Sequence, residues 1–383
     1  MFNKLKHMYS SFKNKSSFMG EFNEFFLERY LGHHKIIGWY QGCPVYSSFL
    51  IPAFSKPAAH AMMQRFVSLL RHEPMPAMVN ISITDTCNAK CEHCSFFGAM
   101  DKLGDDPLPI NKIEDIILKC QDFGISVINF VGGEPLLEKN LPKLIRSMDK
   151  RKSISSVFTN GWYLEEKAKE LKDAGAFMII VSLDSTDPNK HDEFRKLQGL
   201  FDKAIRGIKE CQKVGLLTGI STTVTQEDLE NGNFEKMILF AKNMKINELI
   251  VFDMMPVGMY SHRSDLSKNP INRKMLFEVI DKYNSKKDFP GIFSYTRFKD
   301  PSVMGCSAGR NYFYITPYGD VCPCDFTAEP VGNLQNESLV SLWFKLTNVR
   351  NNCGSNYINE DCDLDTLEKK YNNSLHIINQ KIK

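Results

Sequence analysis

The sequence is short of most features that mark a specialised class of protein. No stretch approaches the roughly 18 consecutive apolar residues of a transmembrane helix. Excess charge is small: 48 Lys and Arg against 45 Asp and Glu leave +3 over 383 residues. A nucleic-acid binder needs a concentrated basic face, and nothing here supplies one. Repeats of fixed period and low-complexity tracts are missing, which excludes solenoids and repetitive disordered chains. The N-terminus has lysines but no apolar run leading to a small-residue cleavage site, so a cytoplasmic protein is expected. What remains, at 43% apolar and 24% charged residues, is ordinary globular composition. The length suits one large domain with a smaller appendage.

Against these absences stand 11 cysteines. In a reducing compartment such thiols serve metals or catalysis and not a disulfide framework. Their placement depends on the order of elements. Lys4, Lys6, Lys13 and Lys15 precede any acid, and Met1, Leu5, Met8, Tyr9 and Phe12 recur at helical spacing. A frayed or partner-docked terminal helix is expected, with a basic amphipathic helix on a membrane surface as the alternative. A helix over 21–31, a hairpin over 36–46 and a helix over 58–71 follow. The breaker-rich His72-Glu73-Pro74-Met75-Pro76 marks a boundary.

From residue 78 a strand–helix rhythm begins. Apolar β-branched and aromatic runs occur at 79–84, 126–131, 154–159, 177–183, 218–224 and 248–253. Amphipathic segments lie between them, the first carrying Ile113, Ile116, Ile117 and Cys120 behind an Asn111/Glu114 capping box. Alternating β and α segments mean a parallel sheet. Six strands are too few for a closed eight-stranded barrel, so a partial (β/α)6 TIM-like barrel is expected. Beyond residue 300 the rhythm stops and Cys, Gly and Pro concentrate. The expected parts are an N-terminal helical and hairpin extension (1–76), a core (77–300), and a Cys-rich module with tail (301–383).

Cys87-x3-Cys91-x2-Cys94 directly follows the first strand, at the sheet edge where parallel α/β folds bind ligands. Such a loop wraps three thiolates around one face of a [4Fe–4S] cluster and leaves the fourth iron open. The competing reading is a zinc loop with His93 as fourth ligand. One βα unit later comes Gly132-Gly133-Glu134-Pro135. Two glycines permit close approach to the backbone, and exposed amides with Glu134 suit a charged amino-acid moiety.

This pair of motifs resembles the radical S-adenosylmethionine (SAM) superfamily. The resemblance implies that Cys87, Cys91 and Cys94 bind the cluster and that the Gly132–Glu134 turn contacts the SAM amino group. SAM would be cleaved reductively to methionine and a 5′-deoxyadenosyl radical that abstracts a substrate hydrogen. Val181-Ser182-Leu183-Asp184-Ser185 with His191 and Arg195 is similar to the fourth-strand segment of relatives with an extra cluster domain. Ser182 and Arg195 are thereby expected near the SAM carboxylate and ribose, against a surface salt bridge as the plain reading of Arg195. Thr159-Asn160-Gly161 is expected to line the same pocket. His93 stands where the family usually has an aromatic.

Cys306, then Gly319-Asp320 between two short strands, then Cys322-Pro323-Cys324 and Gly332-Asn333, look like a SPASM or twitch domain. That implies auxiliary iron–sulfur binding through Cys306, Cys324 and Cys353, with Cys322 or Cys362 as a fourth ligand, and one auxiliary cluster as the better count. Cys322 and Cys324 lie two apart and point to opposite faces of a strand, which argues against both serving one cluster. Structural zinc is the competing reading. Cys120 and Cys211 fall on apolar helical stripes as core thiols. The resemblance further implies a low-potential electron donor such as flavodoxin or ferredoxin. It also implies radical chemistry on a peptide or protein side chain, with a small molecule or lipid-like precursor as the alternative. A non-catalytic iron–sulfur or zinc protein is the reading from another class.

Overall fold

The computed structural model describes residues 31–71, 75–97, 106–263, 270–300, 303–327 and 329–353. The helices expected before residue 31, His72–Pro74 of the boundary, Cys362 and the tail from 354 lie outside the described residues. The expected hairpin is present: Gly38–Tyr40 (β1) pairs antiparallel with Cys43–Val45 (β2). Lys56–Arg71 (α1) follows. The alternating series is then Met78–Ser82 (β3), Ile110–Asp122 (α2), Val127–Val131 (β4), Leu141–Ser147 (α3), Ile154–Thr159 (β5) and Leu164–Ala174 (α4). It continues through Met178–Ser182 (β6), Pro188–Arg195 (α5), Leu200–Lys213 (α6), Leu217–Val224 (β7), Gln226–Glu230 (α7), Asn233–Asn243 (α8) and Glu248–Asp253 (β8). Arg273–Asn284 (α9), Gly291–Ser294 (β9) and Tyr295–Phe298 (α10) complete it. The Cys-rich part adds Tyr312–Ile315 (β10), Asp320–Cys322 (β11), Gly332–Asn333 (β12) and Leu339–Cys353 (α11). Among the described residues no helix is long and apolar enough to cross a membrane.

These strands form one open sheet in the order β12-β11-β10-β3-β4-β5-β6-β7-β8-β9. The run from β3 to β9 is parallel throughout, and β10 pairs parallel with β3, Tyr312 opposite Met78 and Ile315 opposite Ile81. The α/β fold with a largely parallel sheet is therefore as expected. The sequence reading did not single out β9, and it did not anticipate that the C-terminal hairpin continues the core sheet.

Strand alternation divides the interior in two. Val79, Ile81, Ile128, Phe130, Val157, Ile179 and Val181 face the helices and join the larger apolar core. The alternate residues Val127, Ile154, Met178, Ile180, Ile250 and Phe293 face inward and form a second core. Leu31, Ile37, Val45 and Phe49 of the N-terminal extension pack into that inner core. The extension thus plugs the amino ends of the strands, and the Ser48 amide donates to the buried Glu248 carboxylate at 2.9 Å.

One local expectation fails. Helix α2 starts at Ile110 with Pro109 as its N-cap and has no side-chain cap, while Glu114 pairs with Lys143 at 2.9 Å. Burying Ile113, Ile116 and Ile117 stabilises the helix by about 2 kcal/mol each, which outweighs the ~1 kcal/mol of a cap.

Candidate functional site

The loop after β3 carries the three cysteines and is held from three directions. On one side, the Gly133 and Glu134 amides donate to the Thr84 and Thr86 carbonyls at 2.9 and 2.8 Å. A Cβ on Gly132 or Gly133 would collide with those same carbonyls, and Gly132 sits at φ 136. The paired glycines therefore admit the stem of the cysteine loop, where the sequence reading had them admit a ligand. On a second side, Lys90 and Glu92 amides donate to the Arg195 and Phe194 carbonyls at the end of α5. On the third, the Met259 amide donates to the Cys94 carbonyl at 2.9 Å, and Gly258 leaves no room for a Cβ against that loop.

Cys87, Cys91 and Cys94 open on one cavity of about 280 Å³ at the carboxyl ends of the strands. Gly132, Gly133, Glu134, Thr159, Asn160, Ser182 and Arg195 line it too. All the core residues expected at the site thus come together. Amides of Ala89 and Phe97 point at the Cys87 and Cys94 sulfurs, each at 3.4 Å. Burial pushes the Cys87 thiol up to about 12 and raises Cys91 and Cys94 as well. Thiols so buried hold protons until a metal displaces them. Among the described residues no three His, Cys, Asp or Glu side chains converge on the position of a single metal ion. A cubane takes one thiolate per iron, which three thiols opening on one cavity can supply with one iron left open. His93 is also committed elsewhere, stacked on Phe194 at 4.4 Å and 3.7 Å from Asp184.

Arg195 is not a surface residue. Its side chain is 9% exposed and grips Asp184 through Nε at 2.8 Å and Nη2 at 2.7 Å, while Nη1 lies 3.8 Å from the Cys91 sulfur. Burial pushes the Asp184 carboxyl up, but the Arg195 guanidinium together with His93, His191 and the Thr223 amide outweighs it and holds the group at about 2. Asp184 was a signal that the sequence offered and the reading left unused. It lies two residues beyond Ser182, on the same inward face.

Glu134 is hydrogen-bonded within the protein. It is 1% exposed; Oε1 accepts from the Leu136 amide (3.0 Å) and the Thr159 hydroxyl (2.6 Å), and Oε2 from the Asn160 amide (2.7 Å). The side chain ties the turn after β4 to the end of β5. Asn160 in turn donates to Asn88 of the cysteine loop at 2.8 Å.

On the far side of the cavity stand β8, β9 and the C-terminal hairpin. Cys306 and Cys324 pack together with Ala308 and Tyr312. Cys322, two residues before Cys324, points the other way and packs with Phe96 and Tyr314, against Cys94. The alternation argument holds, and Cys322 is not brought to Cys306 and Cys324. Cys353 ends α11. Cys120 and Cys211 are fully buried core thiols. Sequence reasoning missed Asp325, a half-buried cavity residue that accepts from Tyr312 Oη at 2.5 Å and Asn80 Nδ2 at 3.2 Å. It also missed Phe49, which reaches the cavity from the N-terminal extension.

Comparison with known proteins agrees with this geometry. The model of the radical SAM superfamily matches residues 81–241, and that of an iron–sulfur cluster-binding domain (SPASM) matches 306–363. A GTP 3′,8-cyclase of Peptoclostridium acidaminophilum is 30% identical over 59% of this chain and 70% of its own. An AdoMet-dependent heme synthase of Nitratidesulfovibrio vulgaris is 22% identical over 72% and 81%. Among solved structures, Streptococcus suis SuiB bound to its precursor peptide SuiA superposes with a TM-score of 0.58 at 18% identity, covering 75% of this chain and 69% of SuiB. At that identity the likeness is one of fold.

Proposed function

The chain belongs to the radical SAM superfamily and carries a SPASM domain, and from that premise we propose that Cys87, Cys91 and Cys94 hold the SAM-cleaving [4Fe–4S] cluster of a peptide-modifying enzyme. The observation that carries the reading is the opening of all three thiols onto the one cavity that the Gly132–Glu134 turn, Ser182 and Arg195 also line. When bound, the cluster supplies the electron that splits SAM into methionine and a 5′-deoxyadenosyl radical, which takes a hydrogen atom from the substrate.

The remaining work falls to the chain itself. Arg195 sets a fixed positive charge beside Cys91, and Asp184 keeps that guanidinium in place. Glu134 acts as a positioning residue, presenting the Gly132–Gly133 backbone to the SAM amino group. Ser182 meets the SAM carboxylate or ribose from the opposite wall. Cys306 and Cys324 hold an auxiliary cluster across the cavity, with Cys353 as third ligand; Cys322 belongs to a different face. The division 1–76, 77–300 and 301–383 is part of the same proposal, the first part supplying the floor, the second the SAM site and the third the auxiliary ligands. A flavodoxin- or ferredoxin-like donor delivers the electron in the cytoplasm.

A peptide substrate draws support from the fold shared with peptide-bound SuiB. A second reading, a nucleotide or tetrapyrrole substrate, draws on relatives named GTP 3′,8-cyclase and heme synthase. The test is anaerobic reconstitution with iron, sulfide, SAM and dithionite. Formation of 5′-deoxyadenosine by the wild type and its loss in Cys91→Ala is expected. No nucleoside from well-loaded protein would overturn the reading.

A further inference from the structure

The cavity divides sharply by chemistry. Apart from Phe158 of β5, its β4–β7 side is polar and carries the groups assigned above to SAM. The other side is aromatic and continuous. Phe158 meets Phe49 at 6.4 Å, Phe49 meets Phe293 at 4.8 Å, and Phe293 meets Phe298 at 5.8 Å, giving a floor of linked rings. From there Tyr295 connects Phe298 (6.4 Å) to Phe252 (5.3 Å) and Phe326 (5.5 Å), which form the wall. Three separate parts of the chain contribute to this surface, namely the N-terminal extension, the core strands and the C-terminal hairpin.

Charge is distributed just as unevenly. Among the described residues that line the cavity, Arg195 is the one Lys or Arg, and Asp184 and Cys91 already occupy it. The acids near the aromatic wall are also satisfied: Asp253 by Lys299 at 3.1 Å, Asp325 by Tyr312 and Asn80. Phosphate and carboxylate groups are recognised by uncommitted guanidinium or ammonium groups. An anion pressed against this wall would be desolvated with no partner, a cost of several kcal/mol per charge. An apolar ring or chain placed there loses only its contact with water, which is favourable.

We propose that the substrate group entering this cavity is an apolar or aromatic side chain, which the linked rings favour over the anionic groups of nucleoside triphosphates and carboxylate-bearing tetrapyrroles. The inference rests on the assignment of this cavity to SAM and substrate, and it deepens that assignment by choosing between the substrate classes that the relatives' names leave open.

The test uses anaerobically reconstituted full-length enzyme with SAM, and equilibrium dialysis of three probes: N-acetyl-phenylalanine amide, N-acetyl-glutamate amide and GTP. The phenylalanine probe should bind at least about tenfold more tightly than the glutamate probe, with no saturable GTP binding. Phe252→Arg in the wall and Met255→Arg at its margin should each narrow that ratio; two positions guard against one variant failing to fold. Saturable GTP binding, equal affinity for the two capped residues, no binding of the apolar probe, or a ratio unmoved in both folded variants would each overturn the proposal. Measuring 5′-deoxyadenosine in the same samples separates the two readings. Preference without nucleoside formation defeats the radical assignment alone, and nucleoside formation without preference defeats the pocket inference alone.

Discussion

Arg195 joins two parts of the site that lie far apart in sequence: its Nε is 2.8 Å from Asp184 Oδ2 and its Nη1 3.8 Å from Cys91 Sγ. One guanidinium thus neutralises a buried carboxylate and faces a thiol 104 residues away. Removing it leaves the buried Asp184 with the Thr223 amide at 3.1 Å and His93 at 3.7 Å but without its fixed positive charge.

Arg195→Ala should therefore destabilise the cluster-free protein by about 3–5 kcal/mol, and Asp184→Ala added to it should recover part of that loss. Arg195→Lys should rescue poorly, because one ammonium cannot span both partners with planar geometry. Urea unfolding of the three variants is the check. A loss below about 1 kcal/mol would show that the pair is not the restraint described.

Iron analysis tests the separation of Cys322 from Cys324. Each of Cys87→Ala, Cys91→Ala and Cys94→Ala should cost about four irons per chain and all 5′-deoxyadenosine formation. Cys306→Ala and Cys324→Ala should cost the auxiliary iron and spare the first cluster. Cys322→Ala should keep the full complement, about eight irons. Equal loss from Cys322→Ala and Cys324→Ala would mean that both ligate.

Glu134→Gln should lower stability before any cofactor is added. The carboxylate accepts from Leu136, Thr159 and Asn160, and a Gln amide must turn a donor toward one of those donors, costing about 1–3 kcal/mol. Differential scanning calorimetry of the SAM-free protein reads this directly. An unchanged melting temperature with weakened SAM binding would return Glu134 to a ligand-contacting role.

Acid should weaken the fold through two buried histidines. Burial, helped by Lys35, holds His33 at about 3, and burial with the nearby Arg195 holds His191 at about 4. In the unfolded chain both titrate near ~6.5. Between these values the unfolded state binds more protons, so the stability is fully present above about pH 6.5 and falls as the pH drops. The expected loss at about pH 5 is roughly 2 kcal/mol per ring. His33→Asn should remove close to half of the part that these two rings contribute, or about a third once His93, held at about 4 by burial, is counted, in denaturant titrations across this range.

Much of the site was legible because its signals are local. The six strand runs, the cysteine triplet and the Gly-Gly-Glu turn each depend on neighbouring residues, and strand alternation alone separated Cys322 from Cys324. What was not legible depends on partners distant in sequence. β9 is only Gly291–Ser294, too short for its alternation to stand out. Phe49 is an ordinary apolar residue until the extension folds under the sheet. The paired glycines announced a close approach, but only the fold reveals that the approaching backbone is that of Thr84 and Thr86. Asn111 and Glu114 matched a local capping rule that burial of three isoleucines overrode.

The parallel pairing of β10 with β3 has a consequence for how the enzyme is made. Tyr314 reaches Ser82 across 232 residues of intervening chain. During synthesis the strand that leads into the cysteine loop therefore keeps one edge unpaired until Tyr312–Ile315 has left the ribosome. Such an edge invites pairing with other chains, and contacts this distant form late. The loop that carries Cys87, Cys91 and Cys94 thus follows a strand that is among the last in the sheet to gain its second neighbour.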